Sequence, residues 1–350
     1  MNTKYLRNLN TYYIVSIQEK NKWTSLINKS YMYDFYHTWQ YHSIESSGEP
    51  ILFVHEFGDN FLALPLIKRK IENTSYFDCT SVYGYPGPIS SLPFDLIKRE
   101  AIVSFKAVLS EYFISSNVVS VFSRLHPLMD QKLILNNFDG IVNNGQTVYI
   151  DLAADIEAIR TNYGHGTSSS IQILRKKGYF VKEADSINEI KHFIEIYYSN
   201  MARVNAAPYY FFKEDYFLEL LNTSDFNCKL FLVCLDGKIA SGSVITFTSN
   251  IMQYHLSGTH SDYYKDAPTK LLIDEVALFG QNIGMKYFHL GGGIGGSNDS
   301  LFKFKAGFSD LYANFFTWRF IANRPIYDNL VLERSKLYVL TDTFPLYRSN

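Results

Sequence analysis

Apolar residues recur along this chain with two periods, and the order in which those periods alternate predicts most of its elements. A helical region over Lys22 to Ser46 precedes two apolar runs, Ile51–Phe57 and Phe61–Ile67, joined by Gly58-Asp59-Asn60 as in a hairpin. A helix from Leu96 to Tyr112 leads to a strand over Val118–Leu125, and Gly84, Pro86, Gly87 and Pro88 mark a firm turn ahead of them. The second half repeats this plan. Ser186 and Glu189 form a capping box before a helix with Ile190, Phe193, Ile194, Tyr197 and Met201 on one face. A second helix spans Lys213 to Leu221. Three strands come next, Lys229–Leu235, Lys238–Thr248 and Ile251–Ser257, joined by short turns into an antiparallel meander. Pro268 suits the first turn of the next helix, striped by Leu272, Val276, Phe279 and Ile283 and ended by Gly284. Tyr287–Leu290 is the last core strand.

At 350 residues the chain exceeds the size at which one core keeps growing, so two domains are expected. The polar, glycine-containing stretch Asp155 to Gly166 is the expected junction, giving domains 1–154 and 155–350. The fold class is α+β. A net charge of −1 supplies no general attraction for DNA or an anionic membrane, leaving only local basic patches. Cys79, Cys228 and Cys234 are too few and too irregular for a disulfide framework or a zinc site, so no metal is expected. The N-terminal sequence MNTKYLRNLNTYY has no signal-peptide apolar core, and no apolar run approaches 18 residues. The expectation is a reduced, cytoplasmic protein with no transmembrane segment.

Candidate chemistry concentrates in residues 285–308, MKYFHLGGGIGGSNDSLFKFKAGF. A buried strand runs into five glycines within six residues, then a polar turn, then an aromatic segment holding Lys303 and Lys305. So dense a glycine cluster implies a backbone that bends sharply or approaches another group closely. Its N–H groups could receive an anion or an oxyanion, reinforced by the lysines. If the aromatic segment is extended, alternation puts Lys305 inward and Lys303 on the opposite face. His255 and Ser257, two apart in a strand, are expected to share a face. His289 sits inside the last strand and reads as structural.

Taken in order, several motifs resemble the Fem-type (FemAB-like) peptidoglycan-bridge transferases and their GNAT-superfamily relatives. They are Tyr83-Gly84-Tyr85-Pro86-Gly87-Pro88, Arg124-Leu125-His126-Pro127 and Tyr254-His255-Leu256-Ser257-Gly258. Ala267-Pro268, Leu290-Gly291-Gly292-Gly293 and Ser300-Leu301-Phe302-Lys303-Phe304-Lys305 complete the set, which spans Trp23 to Tyr327. The resemblance implies tandem GNAT-like domains, each a mixed, mostly antiparallel sheet flanked by helices. It also implies transfer of an acyl or aminoacyl group to an amine of a sugar- or peptide-bearing cell-envelope precursor. A matching lysine is functional in that family, which makes Lys305 the leading catalytic candidate. His255 is the candidate base. Arg203, Tyr210, Ser257, Lys303, Gly291, Gly292 and Gly293 are candidate substrate contacts, with Tyr83, Tyr85, Arg124 and His126 their first-domain counterparts.

Acyl transfer to an amine needs a neutral amine, a stabilised oxyanion and close positioning of two substrates, with no covalent nucleophile required. The sequence has no GxSxG elbow and no Cys/His nucleophile pairing. Gly291, Gly293 and Gly296 satisfy G-x-G-x-x-G, but no βαβ unit comes after them. Arg175, Lys176 and Lys177 form a basic cluster that reads as a solvated face or a phosphate contact. No tightly bound cofactor is expected; the donor is acyl-CoA or aminoacyl-tRNA. Ordinary GNAT enzymes cradle the CoA pyrophosphate in a glycine-containing loop, whereas the corresponding THSDYYKDAP (259–268) has no glycine. That departure favours a tRNA-borne donor, while the near-neutral charge offers tRNA no long-range attraction. Expected partners are therefore a nucleotide- or lipid-linked precursor, with tRNA and a peripheral membrane encounter open. An acetyl-CoA-dependent sugar-nucleotide N-acetyltransferase and an inactive precursor-binding module are the rival readings.

Overall fold

The computed structural model describes residues 11–334 and 343–349; residues 1–10 of the N-terminal sequence lie outside them. Of the described residues, those up to Asn144 and from Asn314 onward form one compact unit, and Gly145–Ala313 forms another.

In the first unit the chain runs β1 (Tyr12–Ser16), α1 (Lys20–Lys29), α2 (Trp39–Ser43), β2 (Glu49–Phe57), β3 (Asn60–Lys70), β4 (Phe77–Thr80) and β5 (Ile89–Ser90). It continues with α3 (Arg99–Ser115), β6 (Val118–Arg124) and α4 (Lys132–Leu135), and β7 (Ile141–Asp151) then carries it into the second unit. The expected helical region over Lys22 to Ser46 is helical in separate pieces, α1, a 3₁₀ turn over Phe35–His37 and α2. Asp34 accepts from the Phe35 N–H at 2.7 Å and starts a short 3₁₀ turn, and the Thr38 hydroxyl caps α2. Such side-chain caps compete with helix continuation. Strands β2, β3 and β4 form an antiparallel meander, and β6 returns through α3 to lie parallel to β4. α3 packs Phe105, Val108, Leu109 and Phe113 onto Phe53, Leu64 and Trp318, all buried. Each such side chain contributes about 1.5–3 kcal/mol of transfer free energy.

The second unit contains α5 (Ile156–Thr161), α6 (His165–Lys176), β8 (Phe180–Glu183), α7 (Ile187–Arg203) and α8 (Glu214–Leu221). It continues with β9 (Asn227–Leu235), β10 (Lys238–Thr248), β11 (Ile251–Thr259), α9 (Thr269–Asn282), β12 (Tyr287–Gly291) and α10 (Ser300–Ala306). Within this unit the sheet order is β7-β12-β11-β10-β9-β8. The meander β9-β10-β11 is antiparallel, and β12 lies parallel to β11 after α9. Apart from Ile283, which is exposed just past the end of α9, the predicted stripes face inward on opposite sides. Phe193, Ile194 and Tyr197 of α7 meet Phe217 of α8 over Leu230, Leu232 and Val244. Leu272 and Val276 of α9 join Phe231, Ile245 and Phe288 in a separate cluster.

After α10, β13 (Tyr312–Ile321) returns the chain to the first unit, pairing antiparallel with β6, and leads to α11 (Arg324–Arg334). Near the C-terminus, Tyr347 hydrogen-bonds Ser120 at 2.7 Å and Arg348 pairs with buried Asp78 at 2.5 Å. The division thus falls at 144/145, against the expected 154/155, and residues from 314 on belong with the first unit. The cause is an exchange of strands along the chain. β7, although it precedes the polar stretch, uses Val148–Asp151 to pair with β12, and β13 closes the first sheet. The stretch expected as the junction holds α5, capped by Asp155, whose side chain accepts from the Glu157 N–H at 2.9 Å. Among the described residues no helix is long and apolar enough to cross a membrane.

Candidate active site

The second unit opens between two parallel strands. β11 and β12 pair at Ile251–Tyr287, Met252–Phe288 and Gln253–His289, and the pairing then stops although β11 continues to Thr259. On its other edge β12 stays paired with β7 as far as Gly291–Val148. On the other side of β11, Tyr254 opposes Ile245 and Leu256 opposes Val244, so His255 is the extra residue of a β-bulge. A bulge bends and twists its strand, which accounts for the parting of β11 from β12. Strands that part in this way leave main-chain N–H and C=O groups able to receive an extended acyl donor.

Lys305 lies beside the end of β12. Its segment is a helix, α10, and not the extended run considered from the sequence. Asp299 caps it, accepting from the Phe302 N–H at 2.8 Å. Helical spacing, not alternation, separates the lysines: Lys303 is more exposed and Lys305 buried, with 7% of its surface exposed. The Lys305 ammonium donates to the Gly292 carbonyl at 2.8 Å. Burial pulls its pKa down to about 8, against a smaller upward pull from the Asp299 carboxylate. An ammonium has three N–H donors, so two remain for a substrate oxygen. The glycine loop bends tightly here. A Cβ on Gly293 would stand 2.2 Å from the Ser297 carbonyl oxygen and 2.4 Å from Asp299 Oδ1, so only glycine fits. Gly291 continues the β12 ladder, and Gly292 supplies the carbonyl that holds Lys305.

His255 stands differently from its expected role. Its Nε2 is hydrogen-bonded to the Tyr216 hydroxyl of α8 at 2.8 Å, and burial pulls its pKa down to about 3. Such an imidazole is too weak a base to take a proton from an ammonium near neutral pH. The bulge also separates it from Ser257. The Tyr254 hydroxyl donates to Ser257 Oγ at 2.6 Å, and Ser257 donates to the Gly242 carbonyl at 3.2 Å. Residues three apart cannot meet on a regular strand, which is why a period-2 reading misassigned this face.

Arg203 is exposed, with its guanidinium 4.6 Å from the ring centre of Tyr264 in the connection between β11 and α9. Tyr210 is half-buried, and its carbonyl accepts from the Tyr197 hydroxyl at 2.8 Å. Arg175 is committed to Asp274 and Glu275, and Lys177 to Asp266, so these two basic residues hold α6 and its following turn to α9 and its preceding loop. No group of three or more His, Cys, Asp or Glu among the described residues could hold a metal ion.

In the first unit the corresponding candidates form a packed polar cluster. The Tyr85 ring meets His126 at 6.0 Å, Tyr36 at 5.6 Å and Phe315 at 5.4 Å, and burial pushes its phenol well above the usual range. His126 Nδ1 accepts from the Leu128 N–H, so Nε2 carries the proton and donates to Asp34 Oδ2 at 2.9 Å. Gln131 accepts from the His126 N–H and donates to the Pro88 carbonyl. The Tyr83 carbonyl accepts from the Tyr41 hydroxyl at 2.8 Å. The Arg124 guanidinium lies 5.1 Å from the Phe122 ring centre. Asp34 and His126 are both buried, so this arrangement fixes loops to each other. Asp34, Tyr216 and Asp299 were not singled out from the sequence. Of these, Asp299 alone carried a signal, as a helix-capping residue before an apolar run.

The comparisons with known proteins agree with this geometry. Residues 170–303, all in the second unit, match the acetyltransferase (GNAT) domain family. Among curated proteins none matches this sequence. Among solved structures, FemX is similar at 13% identity with a TM-score of 0.68, covering 91% of this chain and 99% of that one. L-PGS from Bacillus licheniformis is similar at 12% identity and a TM-score of 0.56, covering 89% and 96%. The C-terminal domain of a proposed lysylphosphatidylglycerol synthetase from Agrobacterium fabrum is similar at 14% identity and a TM-score of 0.55, covering 90% and 96%. The second unit thus carries an acetyltransferase (GNAT) domain match together with parted parallel strands, which supports an acyltransferase, and the chain shares the fold of FemX.

Proposed function

We propose that this protein transfers an acyl or aminoacyl group to the amine of an amino sugar or peptide in a cytoplasmic precursor of a bacterial surface glycan or peptidoglycan. The observation that carries the reading is the parting of β11 from β12 after Gln253, with the Lys305 ammonium held against Gly292 just past the end of β12. In this reading the donor lies along the parted strands and the neutral amine attacks its carbonyl carbon. Lys305, mostly protonated at neutral pH with its pKa of about 8, donates to the oxyanion of the tetrahedral intermediate. The bond to the leaving group then breaks, and that group takes the amine's proton. His255, with its depressed pKa, is left out of this scheme and acts as a structural residue of the bulge.

The connection between β11 and α9 bears on the donor. Where a CoA pyrophosphate would need open N–H groups, this loop carries Asp262 and Asp266, with Asp266 tied to Lys177 and Tyr179. Two carboxylates near α9's N-terminus oppose a pyrophosphate there and favour an aminoacyl-tRNA donor. The similarity to FemX and L-PGS supports the same preference at the level of fold. Arg203 and Tyr210 are proposed acceptor contacts.

The test is mass spectrometry of amino-sugar nucleotides incubated with the protein and either charged tRNA or acetyl-CoA. An added amino-acid mass supports the aminoacyl reading. An added acetyl mass assigns CoA as donor and overturns the donor preference. Acceptor binding without product from either donor, unchanged by Lys305→Met, would sink the catalytic reading in favour of a binding module.

A further inference from the structure

The glycine loop and α10 are joined by one side chain that takes no part in the chemistry above. Asp299 uses both carboxylate oxygens on main-chain donors. Oδ1 accepts from Phe302 N–H at 2.8 Å, and Oδ2 accepts from Ile294 N–H at 2.9 Å. The first bond caps the helix that carries Lys305, and the second holds the glycine loop. Lys305 then reaches back to the Gly292 carbonyl, two residues before Ile294. Loop, carboxylate, helix and ammonium thus form a closed circuit. The turn inside it is fastened by Gly296 N–H to the Gly293 carbonyl at 3.1 Å and by Ser297 Oγ to the Ile294 carbonyl at 2.8 Å. The absence of a Cβ on Gly293 lets Asp299 come this close.

We infer that Asp299 is a positioning residue: it locks the glycine loop onto α10 and thereby sets where the Lys305 ammonium stands. This rests on the reading of Lys305 as the oxyanion donor. A cap alone would need one acceptor, and serine or asparagine would serve. Two acceptors on one short side chain fix the loop and the helix relative to each other, at the cost of partly burying a carboxylate. Burial raises the Asp299 pKa, but the N–H groups of Phe302 and Ile294 outweigh it and the net shift is downward, so the carboxylate stays ionised. It is also the charge that acts on Lys305. Of the titratable groups on the neighbouring elements (Lys303 on α10, Tyr287 and His289 on β12, His165 at the start of α6), none adds a resolved contribution.

Asp299→Asn and Asp299→Ser test this, because each keeps a helix-capping oxygen and removes the charge and the second acceptor. The first readout is the titration of Lys305 by NMR of ¹³C-labelled lysine, assigned with Lys305→Met; it needs no turnover. In the intact protein Lys305 is expected to titrate at about 8. In both Asp299 variants it is expected about half a unit or more lower. The second readout is kinetic: kcat falling about tenfold with KM within about threefold, as for a misplaced transition-state donor. An unchanged Lys305 titration with unchanged kcat in folded Asp299→Asn and Asp299→Ser overturns the inference. A shifted Lys305 titration, with turnover untouched in these variants and in Lys305→Met, supports the positioning role and removes the catalytic reading of Lys305 instead.

Discussion

The two units run the same course and then part ways. Each has a three-stranded antiparallel meander, a helix and a strand parallel to the third, β2-β3-β4-α3-β6 and β9-β10-β11-α9-β12. Beyond the parallel strand they differ. After β6 come His126 and Gln131, buried and hydrogen-bonded to Asp34 and Pro88, so the end of the strand is sealed by an imidazole and an amide. After β12 come the glycines and a buried ammonium with donors to spare. The same scaffold therefore carries a satisfied polar network in one unit and an unspent cation in the other. Satisfied networks stabilise, whereas a buried cation with spare donors costs stability and is kept where chemistry needs it.

The contrast predicts opposite consequences for stability and turnover. Asp34→Ala removes the acceptor of the His126 Nε2–H and is expected to cost about 3 kcal/mol, read as a lower urea midpoint. A midpoint within error of wild type would show that the first unit's network is dispensable. Lys305→Met keeps the volume and removes the cation. Turnover is expected to fall about a hundredfold with the urea midpoint unchanged or raised. Loss of stability in that variant would make Lys305 a structural residue like His126.

Turnover and stability respond to pH in opposite directions through Lys305. It must be protonated to donate, so turnover is expected to fall as pH rises through about 8. Its folded pKa lies below the ordinary lysine value, so between the two the unfolded chain binds more protons and wild-type stability rises with pH. Lys305→Met should lack that rise, which denaturation between about pH 7 and 10 would reveal. The smallest effect is expected at His255. Tyr216→Phe removes one hydrogen bond, costing about 1 kcal/mol, and should change turnover less than about threefold. A loss of about tenfold in that variant would restore His255 to the chemistry.

Much of this was legible beforehand, unevenly. The α7 and α9 stripes, the β9-β10-β11 meander and the glycine loop were read correctly because local periodicity and turn chemistry dominate there. The helical region over Lys22 to Ser46 is legible too, but its division into separate pieces is not, because it comes from Asp34 and Thr38 capping the main chain that follows them. The face shared by His255 and Ser257 failed because a bulge inserts one residue, and period-2 patterning has no signal for that. Lys305 is legible as a residue type, its inward position only on the condition of an extended segment, which α10 is not. Its placement did not come from alternation but from α10, whose cap at Asp299 is the local feature that went unused.

By itself the sequence determined the order of elements, the apolar face of each helix and the kind of chemistry available, because these depend on neighbours a few residues away. Only the tertiary structure decided that β7 and β13 are exchanged between the units, that β11 and β12 part after Gln253, and that Lys305 is buried against Gly292. Each of these depends on contacts that chain-local patterning does not encode. The lowered pKa of Lys305 is one of them, since it is set by how completely other elements exclude water from a single ammonium.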